Sequence, residues 1–325
     1  MKVHILDDWH DTLRHLPSFA RLAGHEVTVW TDHVTDEAEL ARRLAPAEAV
    51  VLFRERTAIR GSLLDRLPNL RLISQRSVYP HVDVPGCTRN GVLLCSNQHG
   101  DAPSVAAAEL TFALILAAAR QIPQQMASLR AGRWQLAPGL TLRGRRLGLY
   151  GYGRIARQVA GYARAFGMEV VWWASDAGRA RAAAAGEVLA PSRAAFFADS
   201  DVVSLHVRLK PKTRGIITRA DLMAMGPKAI FVNTSRAGLV EPGALVAALQ
   251  AGRPGSAGID VFDHEPLTDT ADPLLTHPRV VATPHIGFVT EDELDLQFAD
   301  IYDQVNAYAA GAPIHMINPE VWPPR

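Results

Sequence analysis

The chain has 325 residues, a length that favours two domains over one. Apolar residues make up 48% of it and charged residues 21%, which is an ordinary globular composition with enough apolar side chains for two cores. The formal net charge of +1, without a basic surplus or an acidic tail, argues against nucleic acid as a partner.

Neither a secretory signal nor a membrane span is predicted. The N-terminus, MKVHILDDW, reads as a strand running into a loop and lacks a long apolar signal core. The most apolar helical stretch, LTFALILAAA, lies between Glu109 and Arg120 and is shorter than the about 20 residues that a span needs. Cys87 and Cys95, the only cysteines, do not make a disulfide framework. We therefore expect a cytoplasmic protein without a membrane partner.

The first third of the chain alternates strand and helix patterns. The strand-like runs are KVHIL, HEVTVW, AVVLF, LRLISQ and VLLCS, and DEAELARRL is typical of a helix between them. This alternation predicts parallel α/β layers. After Pro103 the stretch SVAAAELTFALILAAARQIP predicts a long helix that Pro123 breaks or ends. Because that stretch is apolar on nearly every side, we expect a buried, domain-bridging helix.

A second series starts at RLGLYGYG and runs to about Pro284. Its predicted strands are LGLYG, MEVVWW, VVSLHV, AIFVNT, AGIDVF and VVATPH, which make a doubly wound sheet of their own. From about Glu291 a helix and then an extended tail, APIHMINPE, follow. The fold class predicted is therefore α/β, with two Rossmann-like or flavodoxin-like domains built on doubly wound parallel sheets.

The stretch LGLYGYGRIARQVA contains a glycine pattern that can hold a pyrophosphate. Gly151, Gly153 and Ala156 fill G-x-G-x-x-G/A, in which the first glycine permits a tight turn and the second lets the backbone approach the phosphates. Backbone N–H groups and the helix dipole then face the anion. The pattern alone is a weak signal, but the strand before it and the helix after it strengthen it.

The position that usually selects NAD carries no acid. It falls on Ala174, where a carboxylate would otherwise bind the ribose hydroxyls. Ser175 can donate to a 2′-phosphate, and Arg179 or Arg181 can supply positive charge. Asp176 restores NAD preference if the loop bends to bring its carboxylate to the ribose. The cofactor is thus NAD or NADP, with NADP slightly favoured, and no metal site is predicted.

Three polar residues follow strands of the second series, where ligands of such sheets bind. Arg236 follows AIFVNT, Glu265 follows GIDVF, and His285 follows VVATP. A guanidinium can bind a carboxylate and polarise a carbonyl, an imidazole can transfer the alcohol proton, and a carboxylate beside it can hold its tautomer. These types suit hydride transfer between a nicotinamide and a 2-keto acid.

Each of these residues also has an ordinary structural interpretation. The chain has twelve histidines, most of which must be structural or exposed. Arg236 is also compatible with a surface ion pair, Glu265 with an acid at a helix start before Pro266, and Asp260 with capping of a loop. Their common location at strand ends is what favours chemistry.

At these residues the chain resembles the D-isomer-specific 2-hydroxyacid dehydrogenases. The resemblance covers nearly the whole length and is carried by LGLYGYGRIA, ADSDVVSLHVRLKPKTRG, MGPKAIFVNTSRAGLVE, GIDVFDHEPL and TPHIG. It implies that Arg236 binds the substrate's carboxylate and carbonyl, that His285 is the acid–base with Glu265 as its partner, and that Asp260 orients the nicotinamide carboxamide. The cofactor-binding set that it implies is Gly151, Gly153, Arg154, Ile155, Ser175, His206, Thr234 and Asp260.

The resemblance also implies an organisation and an activity. Residues 1–100 with 290–325 would form the substrate domain and residues 101–289 the dinucleotide domain, with a cleft between them. The activity would be reduction of a small 2-keto acid such as glyoxylate or hydroxypyruvate, and the helix after Pro103 with AGRWQ would join two copies in a homodimer. The alternative is a nucleotide-sensing, corepressor-like binding module on the same fold, although the intact polar set favours turnover.

Two departures from the family pattern affect the expected site. The G-x-G loop that presents amides to the substrate carboxylate is replaced in QRSVYPHVD by Ser77, Val78 and Tyr79, which we take as the substrate-binding positions beside Arg236. Tyr79 and His81 either reach the substrate or pack the loop, with packing slightly favoured. In HVRLKP, Arg208 stands where a proline is common.

Overall fold

The computed structural model describes residues 1–98 and 105–323, and within these residues eleven strands form two parallel sheets. The chain divides into two units, one of Met1–Ala102 with Val289–Arg325 and the other of Pro103–Phe288. Each unit has one of the sheets, flanked by helices. All the strands predicted from the sequence form, and the predicted α/β fold class is confirmed.

The first unit is built on a five-stranded sheet in the order β2-β1-β3-β4-β5. Its strands are β1 (Lys2–Ile5), β2 (Glu26–Val29), β3 (Ala49–Val51), β4 (Leu72–Arg76) and β5 (Leu93–Asn97). Its helices are α1 (Glu37–Leu44), α2 (Gly61–Leu64), α3 (Val84–Arg89) and the C-terminal helix (Glu291–Ala309), with 3₁₀ turns at Leu13–His15, Pro17–Leu22 and Pro319–Val321. β3 is buried along its whole length, which explains its continuous apolar sequence.

The C-terminal segment completes this first unit. The C-terminal helix packs on β4, where the hydroxyl of Ser74 donates to the carbonyl of Ile301 at 2.9 Å. Beyond the helix, Met316 pairs with Cys95 of β5. The buried side chain of Asn318 accepts from the N–H of Leu94 at 2.8 Å. The extended tail therefore lies along the edge of the sheet at β5.

The second unit contains a six-stranded sheet in the order β11-β10-β9-β8-β6-β7. Its strands are β6 (Arg146–Tyr150), β7 (Glu169–Trp173), β8 (Val202–Leu205), β9 (Ile230–Asn233), β10 (Ser256–Ile259) and β11 (Val280–Ala282). Its helices are α4 (Ala106–Arg120), α5 (Ile122–Arg130), α6 (Arg154–Ala165), α7 (Asp176–Ala184), α8 (Arg193–Ala198), α9 (Arg219–Ala224), α10 (Ala244–Gln250) and α11 (Pro273–Thr276), with 3₁₀ turns at Pro211–Thr213 and Ala237–Leu239.

A one-residue strand extends this sheet beyond β7. Leu189 pairs in parallel with Trp172 of β7, whose N–H donates to the carbonyl of Val188 at 2.9 Å. Counting Leu189 as a strand, the topology becomes the usual doubly wound order 3-2-1-4-5-6 with a further strand at the end. The order therefore reverses between β6 and β8, and ligands of such sheets bind in the crevice at this point.

The long apolar helix of the second unit ends before Pro123. α4 stops at Arg120, Gln121 takes a left-handed conformation (φ 53°), and α5 begins with Pro123 in its first turn. Proline fits there because the first turn has no intrahelical partner for its missing N–H. Ser104, the first residue of the predicted helix, lies outside the described residues. Within the described ranges no single helix is long and apolar enough to cross a membrane; α4 and α5 reach that length and composition only together, across a bend of 54°.

Candidate active site

The glycine turn after β6 leaves room for an anion. Gly151 has φ 111°, and a Cβ atom there would lie 2.4 Å from the carbonyl oxygen of His206, so only glycine fits. A Cβ atom on Gly153 would meet nothing within 4 Å. Ala156 is fully buried in the first turn of α6. The N–H groups of Arg154 and Ile155, the first of α6, come directly after Gly153, and no side chain caps this end of the helix. These residues fit the pyrophosphate of a dinucleotide.

The segment after β7 is folded into the start of α7. Ala174 is buried, and its Cβ atom packs against Gly178. A Cβ atom placed on Gly178 would lie only 2.7 Å from it. The hydroxyl of Ser175 accepts from the N–H of Gly178 at 3.3 Å, as a helix cap. The carboxylate of Asp176 points to solvent, 96% exposed, and pairs with Arg179 at 2.5 Å. The guanidinium of Arg179 also stacks on the Trp173 ring, 4.5 Å from its centroid.

Two more of the predicted cofactor residues lie at the ends of β8 and β9. Nε2 of His206 lies 3.0 Å from the hydroxyl of Ser204. Burial lowers the pKa of His206 to about 4, so its ring is neutral at physiological pH. The hydroxyl of Thr234 lies 2.7 Å from that of Thr111 on α4. Thr111 donates its own proton to a backbone carbonyl. Thr234 is therefore the donor in this pair and keeps its lone pairs for another group.

Glu265 and His285 are brought into direct contact. Oε2 of Glu265 lies 2.5 Å from Nδ1 of His285, and Oε1 accepts from the N–H of Phe262 at 2.8 Å. Burial opposes ionisation of Glu265, but these hydrogen bonds and the charges of His285 and Arg236 outweigh it and hold the pKa below its ordinary value. Since an ionised carboxylate only accepts, Nδ1 of His285 carries a proton. The other ring nitrogen, Nε2, is not engaged by Glu265, so this arrangement can give or take a proton there.

Asp260 anchors the loop that carries His285. Its buried carboxylate accepts from the hydroxyl of Thr283 at 2.6 Å, the N–H of Ile286 at 2.8 Å and the N–H of Gly287 at 2.9 Å. Burial raises the pKa of Asp260 despite these bonds. His285 itself has φ 54°, a conformation that is strained for a residue with a side chain. The three bonds from the neighbouring residues hold the loop in this conformation.

Arg236 is positioned by polar residues that the sequence analysis did not single out. The side chain of Asn233 donates to the carbonyl of Arg236 at 3.0 Å and accepts from the N–H of Ser235 at 3.0 Å. The hydroxyl of Ser235 donates to the carbonyl of Leu205 at 2.7 Å, which ties this turn to β8. The motif N-T-S-R directly after an apolar strand could have indicated these hydrogen bonds, because short polar side chains often bond to the backbone of turns.

The loop after β4 in the first unit differs from an amide-presenting glycine loop. Ser77 has φ 79° and donates its N–H to the carbonyl of Asn97 at 2.9 Å. Its N–H is therefore not available to a substrate carboxylate. Val78 is 39% exposed, and the ring of Tyr79 packs against the apolar core of this unit. His81 is buried, and neither of its ring nitrogens has a hydrogen-bond partner among the described residues.

The glycine turn on a doubly wound parallel sheet defines the second unit as that of a dinucleotide-binding α/β protein. Residues 112–287 match the model of the family described as D-isomer specific 2-hydroxyacid dehydrogenase, NAD binding domain. The whole chain belongs to the D-isomer specific 2-hydroxyacid dehydrogenase family, and the family resemblance found in the sequence is confirmed.

Individual relatives extend the match beyond that domain. The D-3-phosphoglycerate dehydrogenase of Methanocaldococcus jannaschii is 36% identical over 84% of this chain and 52% of its own length. The glyoxylate reductase of Thermococcus litoralis is 31% identical over 91% of this chain and 92% of its own length. The crystal structure of phosphoglycerate oxidoreductase from Vibrio cholerae O395 has 45% identity and a TM-score of 0.91 over 96% of this chain and all of that chain. The chain spans about half the length of the D-3-phosphoglycerate dehydrogenases that it matches.

Proposed function

We propose that this chain is an NAD(P)-dependent oxidoreductase that interconverts a small 2-keto acid and the corresponding D-2-hydroxy acid. The contact between Glu265 and His285 is the observation that carries the proposal, because it fixes one ring nitrogen and leaves the other for proton transfer. Relatives named glyoxylate reductase and hydroxypyruvate reductase support the substrate class. The nucleotide-sensing alternative has no observation in its favour.

In this proposal each residue of the site has a separate task. The guanidinium of Arg236 binds the substrate carboxylate and polarises the neighbouring carbonyl. His285 gives a proton from Nε2 to the carbonyl oxygen during reduction and takes it back during oxidation, while Glu265 stabilises the charged ring. When bound, the nicotinamide supplies or accepts the hydride. Asp260 would orient the carboxamide of the nicotinamide, and its hydrogen bonds to Ile286 and Gly287 also position the loop of His285.

Turnover with a panel of keto acids tests the proposal. The purified chain is mixed with NADH or NADPH and with glyoxylate, hydroxypyruvate or pyruvate, and the loss of the reduced-nicotinamide absorbance is followed. His285→Ala is expected to lower kcat by about 10²–10⁴-fold, the range of general acid–base catalysis, while the Kd of the cofactor changes little. No turnover of any keto acid by the parent chain, or normal turnover by the variant, would contradict the proposal.

We further propose that NADPH is used at least as well as NADH. The buried Ala174 offers no carboxylate to the ribose, and Asp176 is directed into solvent and paired with Arg179. Ser175 keeps its hydroxyl proton for a 2′-phosphate, because it only accepts in its cap bond. The test is the ratio of kcat/KM for the two cofactors with one keto acid. A preference for NADH above about 100-fold, about 2.7 kcal/mol, would show that an acid fills this position.

We also propose roles for the two units. The second unit would bind the dinucleotide and carries Arg236, Glu265 and His285, and the first unit, with the C-terminal segment, would be the substrate domain. Since the N–H of Ser77 is committed to Asn97 and the ring of Tyr79 packs against the core, Val78 is the most exposed of the three predicted substrate-binding positions in the loop after β4. We propose a cytoplasmic location. Cell fractionation tests the location.

A homodimer is the assembly that we propose. The second unit exposes large apolar side chains close together along α5 and the segment that follows it. These are Ile122, Met126, Leu129, Trp134 and Leu136, which are between 48% and 77% exposed. An apolar surface of this kind is typical of an interface, and a second copy of the chain is the partner that most oligomers use.

A further inference from the structure

The segment that lies beside the glycine turn carries an arginine, Arg208, at a position where this family commonly has proline. The segment after β8 runs along that turn, because the N–H of His206 donates to the carbonyl of Tyr150 at 2.8 Å. A Cβ atom on Gly151 would lie 3.0 Å from Cγ2 of Val207. Arg208 is the next residue, so its backbone lies within about 7 Å of the turn, the span of two extended residues.

The side chain of Arg208 is exposed and uncommitted. Among residues 1–98 and 105–323, its guanidinium forms no hydrogen bond, ion pair or stacking contact with a ring. Its backbone, in contrast, is fixed, since the hydroxyl of Thr213 donates to the carbonyl of Arg208 at 2.7 Å. The backbone of Arg208 is thus tied to the following turn, while its side chain is exposed.

We propose that the guanidinium of Arg208 binds the pyrophosphate of the dinucleotide. The inference rests on the proposed dinucleotide-dependent activity and adds a residue to its cofactor site. A guanidinium suits a phosphate because it donates two parallel hydrogen bonds and carries a permanent charge. Proline at this position offers neither a donor nor a charge. Arg154, the exposed first residue of α6, directly follows Gly153 and is a second cation close in the chain to this open space.

The strand order favours the pyrophosphate over the 2′-phosphate of NADP as the group that Arg208 binds. β8 and β7 flank β6 on opposite sides. Arg208 follows β8, whereas the ribose position at Ala174 and Ser175 follows β7. The glycine turn follows β6 and lies between the two. A cation beyond β8 therefore meets the phosphates at the turn before it reaches the ribose.

Binding of two small probes tests the assignment. ADP carries the pyrophosphate, and adenosine 2′-monophosphate carries only the phosphate on the ribose. Isothermal titration of the full chain is expected to show ADP binding about tenfold weaker in Arg208→Ala, with a shallower dependence of Kd on salt. Binding of adenosine 2′-monophosphate should stay unchanged. Lys212→Ala is the matched control, because it removes the same charge from an exposed position of the same segment.

The outcomes separate this inference from the proposed function. ADP binding equally to the parent chain and to Arg208→Ala would overturn the inference alone. Equal weakening of ADP binding by Arg208→Ala and Lys212→Ala would also overturn the inference. Such a result would show that any positive charge in this segment favours ADP through its electrostatic field. If Arg208→Ala lost binding of adenosine 2′-monophosphate instead of binding of ADP, the assignment to the pyrophosphate would be contradicted. Failure of the parent chain to bind ADP would overturn the dinucleotide-dependent function as well.

Discussion

Glu265→Gln is the substitution that tests the proposed acid–base pair most directly. It keeps the size of the side chain and one acceptor oxygen but removes the negative charge from beside His285. Two unit charges about 4 Å apart near a protein surface interact by about 4 kcal/mol. The side chains of His285 and Glu265 are 28% and 33% exposed, so we discount this to about 2 kcal/mol for solvent screening. The expected result is a kcat about 30-fold lower.

The substrate affinity should respond differently from the rate. In the proposed site Arg236 holds the substrate carboxylate, so KM for the keto acid should change little in Glu265→Gln. Steady-state assays with glyoxylate and saturating reduced cofactor measure both constants. Glu169→Gln is the control, because it removes an exposed carboxylate from the same unit. A kcat for Glu265→Gln within twofold of that of the parent chain would refute the role of this pair.

Three further results are expected. Arg236→Lys should lower kcat/KM for the keto acid at least tenfold, because an ammonium cannot reproduce the guanidinium fork; kinetics equal to those of the parent would make Arg236 structural. Burial lowers the pKa of His81 to about 4, so the folded state favours the neutral ring and loses stability as pH falls below about 6.5. At about pH 5 this loss is about 2 kcal/mol, and urea unfolding of His81→Leu should show a smaller acid sensitivity than the parent; equal sensitivity would contradict the assignment. Light scattering at low micromolar concentration should give a dimer mass, and Leu129→Asp should give monomers; a monomeric parent chain would refute the proposed interface.

Strands and their alternation with helices could be predicted because parallel strands buried on both faces are apolar and β-branched. β3 (AVV) and β8 (VVSL) are buried along their whole length, and both appear in the sequence as short apolar runs. The glycine turn could likewise be predicted, since Gly151 adopts a conformation that only glycine takes easily. These features depend on local sequence, so they need no knowledge of distant contacts.

Contacts between residues far apart in sequence could not be predicted in this way. Asp260 is 27 residues from Gly287, whose N–H it binds, and nothing local distinguishes its carboxylate from that of a surface acid. The left-handed conformation of Ser77 was hidden because serine gives no sign of it. The strand at Leu189 was too short to produce any periodic pattern. In each case the tertiary structure, rather than local preference, decides the conformation.

The departures from the family pattern lie at Ala174, at Arg208 and in the loop of Ser77, which are proposed to bind cofactor or substrate. The proposed proton-transfer pair, Glu265 and His285, is unchanged, and the chemistry gives a reason. Proton transfer through His285 needs one nitrogen at one place, and a displacement of about 1 Å costs about 10²-fold in rate. Affinity for a dinucleotide is instead a sum over many contacts along a long molecule. A carboxylate lost at Ala174 can therefore be offset by a cation gained at Arg208, whereas no contact elsewhere can replace the hydrogen bond between Glu265 and His285. A binding surface tolerates such exchanges, and a proton-transfer geometry does not.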